Sequence, residues 1–400
     1  MEDFRHALSR RVLLFDGSMG ALLGQMGVET ECPDLLSVTK PDLIRGIHEA
    51  YVRAGAEVIL ANTFGATSIK LSRAGLEERS SEIAAAAVKN AKASGAPFVA
   101  LDLGPTGRFL TPVGDVTFDQ MMASLRAFCR AGAEAGADLI VIETQTDLAE
   151  MRCALIAARE TGLPVVVSST YSPNARTLTG GAPECAALIA SALNAAAAGI
   201  NCSGGPIEML KPLKAMRLAS PIPVVVQPNA GLPSVGPNGR AVFPFGPDAM
   251  APHMAEILAA GASAIGGCCG TTPEHTAKMH TLTEAAQPPE SVWDGVVRIC
   301  SARAFIPLDE ARDALEEIGD PEDLYDLEPD AVPVIDISGL SAEEARSAVE
   351  AAQTMTKRPL AFRADGEEAL NAALEGYTGV ALVDGVGLDE AIDRWGAVRL

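Results

Sequence analysis

Aromatic and basic residues are scarce in this sequence of 400 residues. Aromatic residues make up 4% of the chain, and 31 Lys and Arg stand against 52 Asp and Glu, which gives a formal net charge of −21. Few aromatic side chains leave little material for stacking nucleic-acid bases. An acidic surface also repels phosphate backbones and anionic lipids. The composition therefore argues against nucleic acid and membrane as partners.

Long apolar runs are also missing. No run reaches the roughly 18 residues that cross a bilayer, and the first eleven residues contain no apolar stretch of the signal-peptide type. Hydrophobic residues make up 48% and charged residues 21% of the chain, as in ordinary globular proteins. We therefore expect a cytoplasmic protein, in which the eight cysteines form no disulfide framework.

Short, β-branched apolar runs alternate with amphipathic, Ala-rich segments along the first two thirds of the chain. Nearly continuous apolar runs are typical of parallel strands that are buried on both faces. Eight strand–helix units over about 285 residues predict an α/β fold of the (β/α)8 TIM-barrel type. The predicted strands are Val12–Phe15, Val58–Ala61, Phe98–Leu101, Leu139–Ile142, Val165–Ser168, Gly199–Asn201, Val224–Gln227 and Ala264–Gly267.

A boundary is expected at Gln287-Pro288-Pro289-Glu290, because paired prolines cannot continue a helix. We therefore predict a barrel domain over residues 1–287 and a smaller α/β unit over residues 288–400. The smaller unit is expected to hold four or five parallel strands and a helix at Leu308–Ile318. Its predicted strands are Val296–Cys300, Val332–Ile337, Pro359–Arg363, Gly379–Asp384 and Ala397–Leu400.

Three cysteines follow predicted barrel strands. Cys202 ends the sixth strand, and Cys268 and Cys269 follow the eighth. A Cys-Cys pair alone is explained more simply as two small residues at a tight turn. Because functional groups of a barrel gather at the carboxyl ends of its strands, Cys202 is expected to lie near the pair. Three thiolates with an open fourth position favour Zn2+.

A zinc ion with three thiolates carries a net charge of −1 and is poorly suited to activating water for hydrolysis. It suits a substrate thiol better, because the metal keeps that thiol deprotonated while the electron-rich ligands leave its sulfur nucleophilic. The predicted reaction is alkyl transfer to a thiol, with Cys202, Cys268 and Cys269 as the catalytic metal ligands.

The sequence resembles the homocysteine S-methyltransferase family, which includes betaine–homocysteine methyltransferase and the N-terminal module of cobalamin-dependent methionine synthase. The resemblance covers residues 1 to about 285 and keeps the family's order of motifs. The motifs that carry it are Asp16–Gly20, Asn62–Phe64, Gly104-Pro105, Glu143-Thr144, Asn201–Ser203, Gln227–Gly231 and Gly266–Gly270.

The resemblance implies that Cys202, Cys268 and Cys269 bind Zn2+ and that the sulfur of homocysteine is the fourth ligand. It implies that Asn229 occupies the fourth position when no substrate is bound. It also implies that Asp16 and Glu143 receive the amino group of the substrate, since carboxylates accept charge-assisted hydrogen bonds. Further substrate-binding residues are implied for Gly17, Ser18, Asn62 and Thr63, with backbone N–H groups near Gly17-Ser18 and Ala66-Thr67 for the carboxylate.

The predicted C-terminal unit resembles the first half of the pterin-binding barrel that follows the homocysteine module in cobalamin-dependent methionine synthase. The resembling segments are Val334–Ser338, Lys357–Leu360 and Ala369–Tyr377. Polar positions of that family are altered at Asp336-Ile337-Ser338, Phe362-Arg363-Ala364 and Asp384-Gly385. Because an arginine cannot accept a hydrogen bond from a pterin edge, we expect a degenerate unit that serves in docking or scaffolding.

The sequence thus predicts a zinc-dependent enzyme that makes methionine from homocysteine. The expected donor is a methyl-corrinoid on a partner protein, so that cobalamin is carried outside this chain. S-methylmethionine, a betaine-like donor and methyltetrahydrofolate are the alternative donors, and another thiol is the alternative acceptor. A noncatalytic, partner-binding subunit with a structural zinc is a further hypothesis. An aldolase-type barrel ranks low, because no predicted strand ends in a Schiff-base lysine.

Overall fold

Eight parallel strands form a nearly closed barrel in this computed structural model, which describes residues 2–236, 241–328 and 330–400. The sheet runs in the order β1-β10-β7-β6-β5-β4-β3-β2, and a bridge between Phe15 and Val58 joins its two edges. The predicted TIM barrel is therefore confirmed. Its strands are β1 Leu13–Leu14, β2 Val58–Leu60, β3 Phe98–Leu103, β4 Leu139–Gln145, β5 Val165–Ser169, β6 Ala197–Cys202, β7 Val224–Pro228 and β10 Ala264–Ile265.

Helices surround the barrel, and a small hairpin of β8 Ser234–Val235 and β9 Ala241–Val242 follows β7. The helix α4 shows how the packing arises, since its buried residues Ile44, Ile47 and Tyr51 recur at helical spacing on one face. The helices of this region are α1 Phe4–Arg10, α2 Met19–Gln25, α3 Leu36–Thr39, α4 Pro41–Arg53, α5 Ser68–Leu71, α6 Ser80–Lys92, α7 Phe118–Glu134, α8 Leu148–Arg159, α9 Pro183–Ala192, α10 Leu210–Ala219, α11 Pro247–Ala259 and α12 Pro273–Ala285.

The interior of the barrel changes from apolar to polar along each strand. Side chains of a strand alternate between its two faces, and Phe98 and Ala100 of β3 belong to the apolar interior together with Val141 of β4. The next interior positions toward the carboxyl ends are Asp102 and Glu143, both buried. The strand alternation therefore directs two carboxyl groups into the mouth of the barrel.

Two further sheets follow the barrel. A parallel sheet has the order β13-β14-β15-β17-β18, and an antiparallel sheet has the order β12-β11-β16. The strands are β11 Arg298–Ser301, β12 Phe305–Pro307, β13 Leu315–Ile318, β14 Val332–Asp336, β15 Ala361–Arg363, β16 Gly379–Val380, β17 Leu382–Asp384 and β18 Val398–Arg399. The helices are α13 Leu308–Asp313, α14 Ala342–Met355, α15 Glu367–Gly376 and α16 Asp389–Trp395.

The structure differs from the sequence prediction at three places in this region. The predicted strand Gly379–Asp384 is divided into β16 and β17, which belong to different sheets. The predicted helix Leu308–Ile318 ends at Asp313, and β13 follows it as an edge strand. The charged residues Glu316 and Glu317 made this segment resemble the end of an amphipathic helix. An edge strand also tolerates charged side chains, so the same residues fit β13. The predicted strand near Cys300 pairs antiparallel with β12 and β16 rather than joining the parallel sheet.

The two regions pack closely against each other. Trp395 is 2% exposed, and its ring lies 5.4 Å from the guanidinium carbon of Arg152 on α8. The N–H group of Ala182 donates to the carbonyl of Ala302 at 3.0 Å. We propose a domain division at residues 287 and 288, with this interface between the domains. Among the described helices, none is long and apolar enough to cross a membrane.

Candidate active site

Three cysteine sulfurs meet at the mouth of the barrel. The Sγ atoms of Cys202, Cys268 and Cys269 all lie within 4.8 Å of one another. The strand β7 lies between β6 and β10 and connects them, because its residue Pro228 pairs with Cys202 and accepts a hydrogen bond from the Cys268 N–H at 2.9 Å. The barrel thus brings together cysteines that are separated by more than sixty residues of sequence.

The geometry of this cluster fits a zinc ion. Two sulfurs on a tetrahedral zinc, with Zn–S bonds of about 2.3 Å, lie about 3.8 Å apart. Sulfurs that all lie within 4.8 Å need only small side-chain movements to reach that spacing. The donor set also suits zinc, because thiolate sulfur is a soft ligand that zinc binds well.

The protonation of the cluster also suits a cation. Hydrogen bonds from Cys268 and Cys269 lower the pKa of Cys202 well below its ordinary value. The same contacts with Cys202 raise the pKa of both neighbours. A divalent ion binds thiolates and displaces thiol protons, so these coupled thiols suit a cation as a group.

The backbone around the cluster is shaped for this arrangement. Cys202 has φ +60°, in the left-handed region that non-glycine residues seldom adopt. Strain of this kind gathers at functional sites, where the surrounding structure enforces it. Gly270 has φ +80°, and a Cβ atom at this position would lie 2.3 Å from the ring of Phe243. Both positions hold the cysteines in tight turns at the ends of β6 and β10.

Asn229 lies directly beside the cluster. Its Oδ1 accepts the N–H of Cys269 at 3.0 Å, and its side chain hydrogen-bonds to Cys202, which contributes to the lowered pKa of that thiol. The side chain is thus near enough to approach a metal ion, while its oxygen is engaged with the backbone.

A cavity of about 630 Å3 opens next to the sulfurs. The size falls within the usual range of sites for small ligands. Nine residues of the sequence prediction line it, whereas Asn229, Ala66 and Thr67 lie outside the lining. The nine are Asp16, Gly17, Ser18, Asn62, Thr63, Glu143, Cys202, Cys268 and Cys269.

Asp16 and Glu143 are buried carboxyl groups in this cavity. Asp16 is 3% exposed; its Oδ2 accepts the N–H of Leu60 at 3.0 Å, and its Oδ1 has no hydrogen-bond partner in the described part of the chain. Burial raises the pKa of Asp16 well above its ordinary value. Burial and the negative charge of Cys202 raise the pKa of Glu143 to about 7. Both groups are therefore poised to gain from a cationic ligand.

The other predicted substrate residues act mainly on the local backbone. The Asn62 side chain donates to the carbonyl of Pro33 at 2.8 Å, and Ser18 caps α2 by accepting the N–H of Ala21. Ala66 is fully buried and donates its N–H to the carbonyl of Thr63. Ala66 and Thr67 do not line the cavity, so their predicted contact with a substrate carboxylate has no support here.

Four further residues at the site were not among the predicted ones. Asp102 lines the cavity, and so do the cations Lys70 and Arg73. Asn201 links Glu143 to Cys268 by hydrogen bonds. Asp102 and Asn201 stand on the inward face near strand ends, which is a usable sequence signal. Lys70 and Arg73 lie in short helical turns and have no such signal.

Comparison with known proteins points to one family. A family model described as homocysteine S-methyltransferase matches residues 13–283. Methionine synthase of Mycobacterium tuberculosis (strain ATCC 25618 / H37Rv) is 31% identical over 334 residues, which cover 78% of this chain and 28% of that protein. Methionine synthase of Mycobacterium leprae (strain TN) is 30% identical over 295 residues, which cover 68% of this chain and 24% of that protein. The chain therefore spans about a quarter of the length of these two relatives.

A solved structure has a similar fold. The metallated form of the homocysteine methyltransferase MmuM from Escherichia coli superposes with a TM-score of 0.57 at 25% sequence identity. The superposition covers 68% of this chain and 96% of that chain.

Proposed function

We propose that this chain, which belongs to the homocysteine S-methyltransferase family, transfers a methyl group to the sulfur of homocysteine at a zinc ion. Cys202, Cys268 and Cys269 would hold the ion. The single observation that carries the proposal is the convergence of their sulfurs within 4.8 Å beside a cavity of ligand size. When bound, zinc supplies an open coordination position at which a thiol stays deprotonated near neutral pH.

The residues of the cavity would hold the remainder of homocysteine. Asp16 and Glu143 each present a carboxyl oxygen to the substrate ammonium group, and a charge-assisted hydrogen bond is about twice as strong as a neutral one. Gly17 and Ser18 border the same space. Fixing the amino-acid end in this way orients the sulfur toward the cysteine cluster. Such orientation removes much of the entropic barrier to transfer.

We propose a methyl-corrinoid on a partner protein as the donor. Loops that follow the barrel strands expose large apolar side chains around the mouth, and exposed apolar patches mark binding surfaces. The relatives named methionine synthase are several times longer than this chain, which supports a donor carried on another module. The exposed residues are Phe64, Val113, Leu178, Ile207, Leu232, Val235 and Val242.

The C-terminal unit is proposed to support docking rather than to bind a pterin. Arg363, at the end of β15, pairs with Asp384 at 3.0 Å and with Glu317 at 2.5 Å. The cavity that these three residues line is about 80 Å3. Sites for small organic ligands usually exceed about 300 Å3, so this space is too small for methyltetrahydrofolate.

The experiment is a donor screen on the zinc-loaded protein with homocysteine as acceptor. Methyl-corrinoid, methyltetrahydrofolate, S-methylmethionine and betaine are compared, and methionine is measured. We expect turnover with methyl-corrinoid, and loss of both zinc and activity in Cys268→Ala. Full transfer by the metal-free variant, or turnover with methyltetrahydrofolate alone, would contradict the proposal. Equal turnover of unrelated thiols would assign a different acceptor.

Cobalt substitution tests the hypothesis of a structural zinc. The visible spectrum of Co2+ changes when a ligand is exchanged, so homocysteine should alter the spectrum only if one coordination position is open. An unchanged spectrum at saturating homocysteine would favour a noncatalytic subunit.

A further inference from the structure

Asp102 holds a fixed place on the inner face of the barrel. It follows Phe98 and Ala100 on the inward side of β3, and its Cα pairs with Val141 of β4. Glu143 stands two residues further along β4 on the same face. Diagonal neighbours on adjacent strands are close enough for long side chains to interact. The topology therefore places Asp102 and Glu143 together at the mouth.

The backbone of Asp102 is clamped in position. The hydroxyl of Thr63 accepts the Asp102 N–H at 3.1 Å and donates to the Asp102 carbonyl at 2.7 Å. Thr63 itself is fully buried. A side chain on such a fixed support presents its oxygens in a defined direction, which is what precise recognition of a ligand requires.

The carboxyl group of Asp102 lacks partners within the described part of the chain. Asp102 is 5% exposed, and its Oδ1 is buried without a hydrogen bond. Asp16 Oδ1 in the same cavity is in the same state. An uncompensated buried carboxyl group is costly, so a fold that keeps two of them beside a cavity is prepared for a ligand that donates hydrogen bonds.

The cations of the cavity do not fill this role. Lys70 donates from Nζ to the carbonyl of Pro105 at 3.0 Å and lies 5.1 Å from the centre of the Phe64 ring. Arg73 donates to the carbonyl of Gly107 at 2.9 Å. Neither forms an ion pair with Asp102 or Asp16 in the described structure. A cationic ligand would supply the positive charge that these two side chains do not bring to the carboxyl groups.

We propose that Asp102 is a specificity-determining residue that binds the ammonium group of the amino-acid thiol together with Asp16 and Glu143. An ammonium group has three N–H donors. Each of the three carboxyl groups has an oxygen free to accept one, because Glu143 uses only Oε2 for its bond from Asn201. This inference rests on the proposed function, since it assigns the amino-acid end of that same substrate.

The electrostatics of the cavity agree with this assignment. Burial raises the pKa of Asp102 well above its ordinary value, and the charges of Glu143 and Asp16 raise it further. Like charges this close resist ionising together. An ammonium group between them offsets that repulsion. A cationic ligand therefore binds here more tightly than an uncharged ligand of the same shape.

The test compares two thiols that differ only in the amino group, namely homocysteine and 4-sulfanylbutanoic acid. Their dissociation constants for the zinc-loaded protein are measured by calorimetry, without any methyl donor. In Asp102→Asn we expect homocysteine to bind about 10- to 100-fold more weakly, the loss typical of a hydrogen bond to a charged group. Binding of 4-sulfanylbutanoic acid should stay within about twofold. In turnover assays KM for homocysteine should rise while kcat changes little.

Glu150→Gln is the matched control. Glu150 is a buried carboxyl group, 2% exposed, that accepts the Thr106 N–H at 2.6 Å and lies outside the cavity lining. Its neutralisation should leave the ratio of the two dissociation constants unchanged. Asp102→Ser provides a second, smaller neutral side chain in case Asp102→Asn folds poorly.

Three other outcomes would contradict either the role of Asp102 or the proposed function. Equal weakening of both thiols in folded Asp102→Asn and Asp102→Ser would make Asp102 a structural residue. Unchanged binding of homocysteine would remove it from the site. Absence of homocysteine binding by the unaltered, zinc-loaded protein would instead contradict the proposed function, so the two failures are distinguishable.

Discussion

The side chain of Asn201 donates a hydrogen bond to Glu143, from Nδ2 to Oε2 over 3.2 Å. The same nitrogen lies 3.9 Å from Cys268 Sγ. The Asn201 oxygen accepts from the Ser168 hydroxyl at 2.9 Å and from the Thr144 N–H at 2.8 Å. One fully buried amide therefore couples a carboxyl group of the cavity to the sulfur cluster.

Replacing Asn201 by Ala should weaken zinc binding by about 10- to 100-fold, the usual effect of removing a group that orients metal ligands. The variant should also lose about 1–3 kcal/mol of unfolding free energy, because Glu143 loses its hydrogen-bond donor inside the protein. Zinc affinity is measured by competition with a chromophoric chelator, and stability is measured by denaturant titration.

Ser168→Ala is the matched control for Asn201, because it removes a single hydrogen bond to the Asn201 oxygen. We expect a stability loss within about 1.5 kcal/mol and unchanged zinc affinity. Wild-type zinc affinity in Asn201→Ala would show that the link between Glu143 and Cys268 has no role in holding the metal.

Replacing Gly267 by Ala should disturb the turn that carries the cysteine pair. The added Cβ atom would lie 2.2 Å from the Thr271 hydroxyl, which donates to the Cys268 carbonyl at 2.7 Å. Overpacking of this kind costs about 1–3 kcal/mol, and zinc content should fall with it. Both are measured on the purified variant by denaturant titration and by metal analysis.

Gly46→Ala is the opposite case, since a Cβ atom in the middle of α4 would meet nothing within 4 Å. We expect it to stabilise the protein by about 0.5–1 kcal/mol. If Gly267→Ala is as stable and as rich in zinc as the unaltered protein, the turn is more adaptable than its close contacts indicate.

The barrel could be predicted because each of its strands is marked by residues that are adjacent in the sequence. Each strand is a short apolar run, and the polar residues that follow it mark the mouth, so the positions of Cys202 and Cys268 followed from the order of the strands. Asn201 and Asp102 were harder to assign, because their roles depend on neighbours across the barrel. The strand β13 was missed for a related reason, since only its pairing with β14 distinguishes Leu315–Ile318 from the end of a helix.

Acid should destabilise the protein through His48. This residue is fully buried on α4, both of its ring nitrogens lack hydrogen-bond partners among the described residues, and burial lowers its pKa from 6.5 to about 4. The unfolded chain takes up the proton below about pH 6.5, whereas the folded chain takes it up only near pH 4. Stability should therefore fall as the pH drops from 6.5 to 4, by up to about 3 kcal/mol.

The measurement is the unfolding free energy at several values of pH between 7 and 4. Over this pH range, the unfolding free energy of His48→Leu should fall by about 3 kcal/mol less than that of the unaltered protein. Gly46→Ala on the same helix is the control, because it changes no titratable group and should leave the pH profile unchanged. An identical slope in His48→Leu and the unaltered protein would assign the acid sensitivity to other groups.

Trp395 tests the proposed division of the chain at residues 287 and 288. Its Nε1 donates to Asn371 Oδ1 at 2.6 Å, and its ring packs against Arg152 of the barrel. Trp395→Ala should remove about 3–5 kcal/mol of stability, mainly from the C-terminal unit and its interface. We therefore expect two unfolding transitions by circular dichroism, with zinc retained through the first.

Val386→Ala, at a position that is 96% exposed, should leave unfolding as in the unaltered protein. A single transition in Trp395→Ala, with zinc released in the same step, would mean that the barrel and the C-terminal sheets fold as one cooperative unit.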